Sequence, residues 1–189
     1  NNLAIIVLAA GQGTRMRSRL PKVLHRIGGR PLVGHVLTTA GRLDADHIEV
    51  VVRHERDQVV AALAADYPDA VFIDQDEVPG TGRAVQVAVD ALPADFDGDV
   101  LVLSGDCPLA DAATLASFLE AHRAAEAEAT LMTAVVDAPT GHGRAVRDAA
   151  GGVDRDRNGL AHGVSGVELL AVPGDDEQRV VDADTETDH

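Results

Sequence analysis

The chain has 189 residues, 46% hydrophobic and 25% charged, a composition that builds a globular core and excludes wholesale disorder. Aromatics are only 2% with no Trp, which argues against a base-stacking platform, and a single cysteine, Cys107, excludes an internal disulfide or a cysteine-rich zinc site. The net charge of −15 is uneven: residues 1–43 hold seven basic side chains and no acid, and the remainder stands at −22. Such a body repels nucleic acid and anionic membranes, and its cationic segment suits a small, highly charged anion, although a solvated basic helix face is the plainer reading of the run. Lys22 is the only lysine in the chain. The longest apolar run, residues 3–10, is far too short to span a bilayer, and no charged leader precedes it. A cytoplasmic location is expected.

In chain order, short aliphatic or β-branched runs at residues 3–9, 48–52, 71–73, 100–103 and 130–136 predict strands buried on both faces. Between them, helical spacing links Val59, Val60 and Leu63, then Val85, Val89 and Leu92, then Leu115, Phe118, Leu119 and His122. Asp111 stands where an N-cap is needed for the last of these. Strand–helix alternation with short connections implies an α/β architecture with a mostly parallel sheet. Residues 167–172 suit one more strand, and the acidic text from Pro173 onward reads as loop or tail.

The first motif follows the first strand: Leu8, Ala9, Ala10, Gly11, Gln12, Gly13, Thr14, Arg15 and Met16. Two glycines at the carboxyl end of a strand let backbone N–H groups approach a phosphate, although an ordinary turn has the same residues. Met16 stands where a dinucleotide fingerprint needs Gly or Ala, and no Walker Gly-Lys-Ser/Thr is present. Arg15 and Lys22, a short loop apart with Pro21 between them, form a cation pair suited to separate phosphates of one polyphosphate. Further on, Gln75 and Asp76 precede Pro79, Gly80, Thr81 and Gly82, where Thr81 equally suits a helix cap. The Gln75 amide offers both a donor and an acceptor to a ligand. Ser104, Gly105, Asp106, Cys107 and Pro108 close the buried strand near residue 103. Alone, Asp106 reads as a turn or cap residue; a carboxylate there also suits a Mg²⁺ ion that keeps most of its water and shares substrate phosphates. Cys107 reads as packing.

Together these motifs resemble the sugar-1-phosphate nucleotidyltransferases, which carry G-x-G-T-R-M followed by P-K. The blocks Pro21-Lys22-Val23-Leu24-His25, Gly28-Gly29-Arg30-Pro31-Leu32 and His35-Val36-Leu37 narrow the likeness. They resemble the uridylyltransferase half of the bifunctional N-acetylglucosamine-1-phosphate uridylyltransferase/glucosamine-1-phosphate acetyltransferases. The likeness covers residues 3–148 and includes Gly141-His142-Gly143-Arg144, where the family has G-Y-G-R.

The resemblance implies a Rossmann-like nucleotide-diphospho-sugar transferase fold and a domain over residues 1–148, with 149–189 a divergent, partly disordered acidic tail. It implies Mg²⁺-dependent conversion of UTP and N-acetylglucosamine 1-phosphate to UDP-N-acetylglucosamine and pyrophosphate, a cell-wall precursor step. In that reaction Arg15 would hold the departing pyrophosphate, Lys22 the α-phosphate and Asp106 the metal. Leu8, Ala9, Ala10, Gly11, Gly13, Thr14, Gln75, Gly80, Thr81, Ser104, Gly105 and Gly143 would line the nucleotide and sugar pockets. The attacking phosphate is already anionic, so no general base is needed and the eight histidines read as packing and surface residues.

The family's second metal ligand, an asparagine, has no counterpart, since the asparagines here are Asn1, Asn2 and Asn158. A lost C-terminal part and a shift of reading frame near Gly152 both account for the divergence. No six-residue repeat of the acetyltransferase β-helix is present, so the family's route to trimers is missing and a monomer is expected. Two other readings stand beside the enzyme: a UTP-binding fragment without turnover, and a related nucleotidyltransferase with another phosphate acceptor.

Overall fold

Residues 3–7 are aliphatic without a break and buried on both faces, as befits a central parallel strand. The computed structural model describes residues 2–11, 13, 16, 18–133, 168–170 and 180–182, with backbone alone for the last two segments. In chain order the elements are β1 (Asn2–Leu8), a 3₁₀ turn (Lys22–Leu24), β2 (Arg26–Ile27), β3 (Arg30–Pro31), α1 (Leu32–Ala40) and β4 (His47–Val52). There follow α2 (Arg56–Leu63), β5 (Ala70–Asp74), α3 (Thr81–Val89), β6 (Gly98–Ser104), α4 (Ala112–Ala124), β7 (Ala129–Leu131), β8 (Glu168–Leu170) and β9 (Val180–Asp182).

The main sheet runs β5-β4-β1-β6-β8-β7-β9. β5, β4, β1 and β6 are mutually parallel. β8 enters antiparallel between β6 and β7, and β9 pairs parallel with β7. Alternation along β1 divides the core in two. Leu3, Ile5 and Val7 face α1, α2 and α4 through Val33, Leu37, Val59, Leu63, Leu115 and Phe118. Ala4 and Ile6 face α3 through Ala84, Val85 and Ala88. Both faces are covered, as a parallel sheet requires. Register aligns Leu8 with Val51 on one side and Ser104 on the other, and Val52 with Asp74. The loops after β1, β5 and β6 therefore emerge from one edge of the sheet, the carboxyl edge where open α/β sheets bind ligands.

Several expectations are corrected. The strand expected over 130–136 is observed over Ala129–Leu131, and residues 134–136 lie outside the described set. Leu92 falls beyond α3, which ends at Val89 because Asp90 and the turn after it close the helix. Thr81 is the first residue of α3 and not its cap; that place belongs to Gly80 at φ 120°, a backbone conformation that threonine would strain to adopt. Residues 180–182, read as loop or tail, form β9 against β7, for two adjacent valines suit a strand. α1 was not anticipated, although Val33, Val36, Leu37 and Ala40 are buried at i, i+3, i+4 and i+7. Asp111 caps α4 as expected, accepting from Thr114 N at 3.0 Å.

Candidate functional site

The loops leaving β1 and β6 are fastened to each other. Gly105 N donates to Leu8 O at 2.9 Å, and a Cβ on Gly105 would stand 2.7 Å from that same oxygen. Only glycine permits this approach. The chain after β1 passes Gly11 and turns through Gly13 at φ 58°, with Met16 N donating to Gly13 O at 2.9 Å. A Cβ on Gly13 would lie 2.8 Å from Lys22 Cβ, so the turn rests directly on the 3₁₀ segment that bears Lys22. Val23 and Leu24 anchor that segment in the core and leave Lys22 at the edge, its side chain 43% exposed.

Lys22 and Asp106 meet there as an ion pair, Nζ against Oδ2. The other carboxylate oxygen, Oδ1, accepts from Ser104 Oγ at 2.6 Å. Burial alone would raise the Asp106 pKa, but the ammonium and the hydroxyl outweigh it and hold the carboxyl below its ordinary value. Cys107 is half-buried and its thiol pKa is pushed up by burial, which makes it a poor nucleophile. With Ser104, Leu103, Val36, Thr39, Ala110 and Leu115 it lines a cavity of about 10 Å³, room for roughly one water.

The loop after β5 is ordered by its own side chains. Gln75 Nε2 donates to Val78 O at 2.9 Å and Gly80 O at 3.2 Å, so its donors serve the loop and its amide oxygen remains to accept. The expectation that both ends of this amide face a ligand is corrected to that extent. Arg83 grips Asp76 Oδ2 through Nε at 2.8 Å and through its terminal nitrogen at 2.5 Å, and Val78 N donates to Asp76 Oδ1.

The basic run of the first 43 residues divides between tasks. Arg26 donates to Gly29 O and Arg30 to Thr38 Oγ1, bracing the β2–β3 hairpin and α1, while Lys22 goes to Asp106. Of the residues picked out in the sequence, Leu8, Ala9, Ala10, Gly11, Gly13, Lys22, Ser104, Gly105 and Asp106 lie on or between the two fastened loops. Gln75, Gly80 and Thr81 lie on the neighbouring loop. Thr14, Arg15 and Gly143 lie outside the described residues. The Ser104 hydroxyl bonds Asp106, a task that the sequence reading did not assign to it. A Ser-x-Asp at a strand end is the signal that points to such a bond.

The site fits a cation. One oxygen of Asp106 already accepts a positive charge, and no group of three or more His, Cys, Asp or Glu among the described residues could form a dedicated protein cage. A lone carboxylate suits an ion that retains water and shares its coordination with phosphates. Among the described residues no helix is long and apolar enough to cross a membrane.

The MobA-like NTP transferase domain family matches residues 5–163. The bifunctional protein GlmU of Clavibacter sepedonicus is 62% identical over 146 residues, which are 77% of this chain and 30% of that protein. The chain thus spans about a third of the length of the curated relatives it matches. Among solved structures, 4-diphosphocytidyl-2C-methyl-D-erythritol synthase from Anaerococcus prevotii shares the fold at a TM-score of 0.62 and 18% identity, covering 90% of this chain and 70% of that one. Rv0371c of Mycobacterium tuberculosis, solved in complex with manganese, shares it at 0.55 and 23% identity, covering 70% and 64%.

Proposed function

Because the chain belongs to the MobA-like NTP transferase domain family, we propose that it transfers UMP from UTP to N-acetylglucosamine 1-phosphate with Mg²⁺, releasing pyrophosphate. The observation that carries the chemistry is Lys22 meeting Asp106 beside the glycine turn. That juxtaposition supports the reading, since an ammonium suited to phosphate, backbone N–H groups and a carboxylate suited to a metal share one edge of the sheet. The choice of uridine and of this acceptor is supported by the 62% identity to a GlmU over the region that holds these motifs.

A sugar-phosphate oxygen attacks the α-phosphorus in line. A new P–O bond forms while the bond to the α,β-bridging oxygen breaks, and pyrophosphate leaves with its electron pair. The nucleophile is already anionic, so the residues have no proton to remove, and catalysis is positioning with charge neutralisation. The turn at Gly11 and Gly13 brings backbone N–H groups to the phosphates, Lys22 neutralises the α-phosphate, and Arg15 grips the departing pyrophosphate. Gln75 accepts from uracil N3–H through its amide oxygen. Gly80, Thr81 and Gly143 line the nucleotide and sugar pockets. Asp106 would hold Mg²⁺, which supplies Lewis-acid stabilisation at the α-phosphate.

Pyrophosphate release by the 189-residue chain, with Mg²⁺, UTP and N-acetylglucosamine 1-phosphate, tests this beside a UTP-binding titration. Release above the uncatalysed rate is expected. UTP binding without release shows a nucleotide-holding fragment, and release only with a different sugar phosphate moves the acceptor assignment.

A further inference from the structure

The two oxygens of Asp106 are held by unlike partners. Ser104 ends β6 in register with Leu8, and its short side chain reaches Oδ1 at 2.6 Å from a part-buried position. The serine side chain is short and rooted at the strand end, so little motion separates its hydroxyl from Oδ1. Lys22 reaches Oδ2 on a four-carbon stem, with 43% of its side chain exposed and solvent available to its ammonium. One oxygen is therefore committed and the other exchangeable. Resting on the function proposed above, we infer that Lys22 occupies the cation seat of Asp106 in the absence of nucleotide and yields it to a divalent ion, while Ser104 is the positioning residue that holds the carboxylate through the exchange.

The exchange has a direction. An ammonium and a divalent ion at one carboxylate oxygen repel each other at short range, so each raises the cost of the other. When the ion takes Oδ2, Lys22 is freed beside the glycine turn, where the phosphates arrive. By reciprocity, whatever draws Lys22 away strengthens metal binding at Asp106. A phosphate group does this in the complex; a neutral substitution does it permanently. The lysine that assists the reaction is thus a competitor of its metal.

The sequence supplies its own probe, because Lys22 is the only lysine. Full-length chain labelled with ¹³Cε,¹⁵Nζ-lysine gives one side-chain resonance. Saturating Mg²⁺ without nucleotide should move it to the position it adopts in Asp106→Asn, and Mg²⁺ should not move it further in that variant. In Mn²⁺ titrations without nucleotide, taken as the binding lost on Asp106→Asn, Lys22→Met should bind about tenfold more tightly than the parent. Ser104→Ala should bind several-fold more weakly, and Ser104→Thr should restore the parent affinity. An unchanged or weaker affinity in Lys22→Met, or a resonance unmoved while Asp106 binds metal, overturns the exchange and leaves the proposed activity to its own pyrophosphate assay. Metal binding that survives Asp106→Asn unchanged overturns both the exchange and the metal role of Asp106.

Discussion

Gly13 and Lys22 are in contact at the level of the backbone: the Cβ that Gly13 lacks would stand 2.8 Å from Lys22 Cβ, at a φ of 58°. The glycine turn is thereby a support for the lysine as well as the proposed approach to phosphate. Gly13→Ala combines left-handed backbone strain with a clash against a side-chain root that cannot swing away. The expected result is a loss of about 1–3 kcal/mol in stability and a fall in turnover of roughly 10- to 100-fold, as for a small misplacement of a positioned group. Urea unfolding and pyrophosphate release read the two effects, and an unaltered rate would show that this contact does not place Lys22.

Gly105 and Gly11 make a contrasting pair. A methyl on Gly105 would press on Leu8 O at 2.7 Å and break the fastening between the β1 and β6 loops, whereas Gly11 has nothing within 4 Å of its missing Cβ. Gly105→Ala should cost about 1–3 kcal/mol of stability, in the range of overpacking a filled site. Gly11→Ala should unfold within about 0.5 kcal/mol of the parent yet bind UTP less tightly. Equal losses of stability in the two variants would contradict this division.

The charged residues predict a graded series. Asp106→Ala should abolish Mg²⁺-dependent turnover and leave the circular dichroism spectrum intact. Arg15→Ala and Lys22→Ala should each lower kcat by on the order of 10² to 10³, the usual cost of one preorganised charge contact. Parent-like turnover in all three would sink the site assignment.

Glu49 ties stability to pH. It lies on β4 at 4% exposure with Oε2 unpartnered, and burial pushes its carboxyl pKa from 4.5 up to about 7. Between these values the folded chain keeps a proton that the unfolded chain releases, so stability falls as pH rises from about 4.5 to 7 and then levels. The magnitude is about 3 kcal/mol. Glu49→Gln should remove the fall, and urea titrations of both proteins at pH 5 and 8 decide it. A parent chain no less stable at pH 8 than its variant, relative to pH 5, would refute the assignment.

The parallel strands were legible because residues 3–7, 50–52 and 100–103 are aliphatic runs that no surface element could carry. The placement of Lys22 and Asp106 at one edge followed from motifs at strand ends, since a parallel sheet brings those ends together whatever their separation in sequence. α1 escaped because Gly34, Thr38 and Thr39 dilute its pattern; burial of Val33 and Leu37 overrides their weak propensity. The ion pair of Asp106 with Lys22 could not be read from spacing, for it depends on which rotamers the packed strand end permits. The same holds for Gln75, whose amide reaches back to carbonyls that only the folded loop aligns.

The bond from Gly105 N to Leu8 O also orders events in time. β1 leaves a ribosome well before its partner strand β6 and the carboxylate beyond it, which come much later in the chain. At a synthesis rate of about 5–20 residues per second, the glycine turn waits roughly 5–20 s for position 106 to appear. Throughout that interval β1 lacks its β6 neighbour, and the lysine lacks its carboxylate on the nascent chain. The half of the site proposed to grip phosphate is made early, and its competence awaits the half proposed to grip metal.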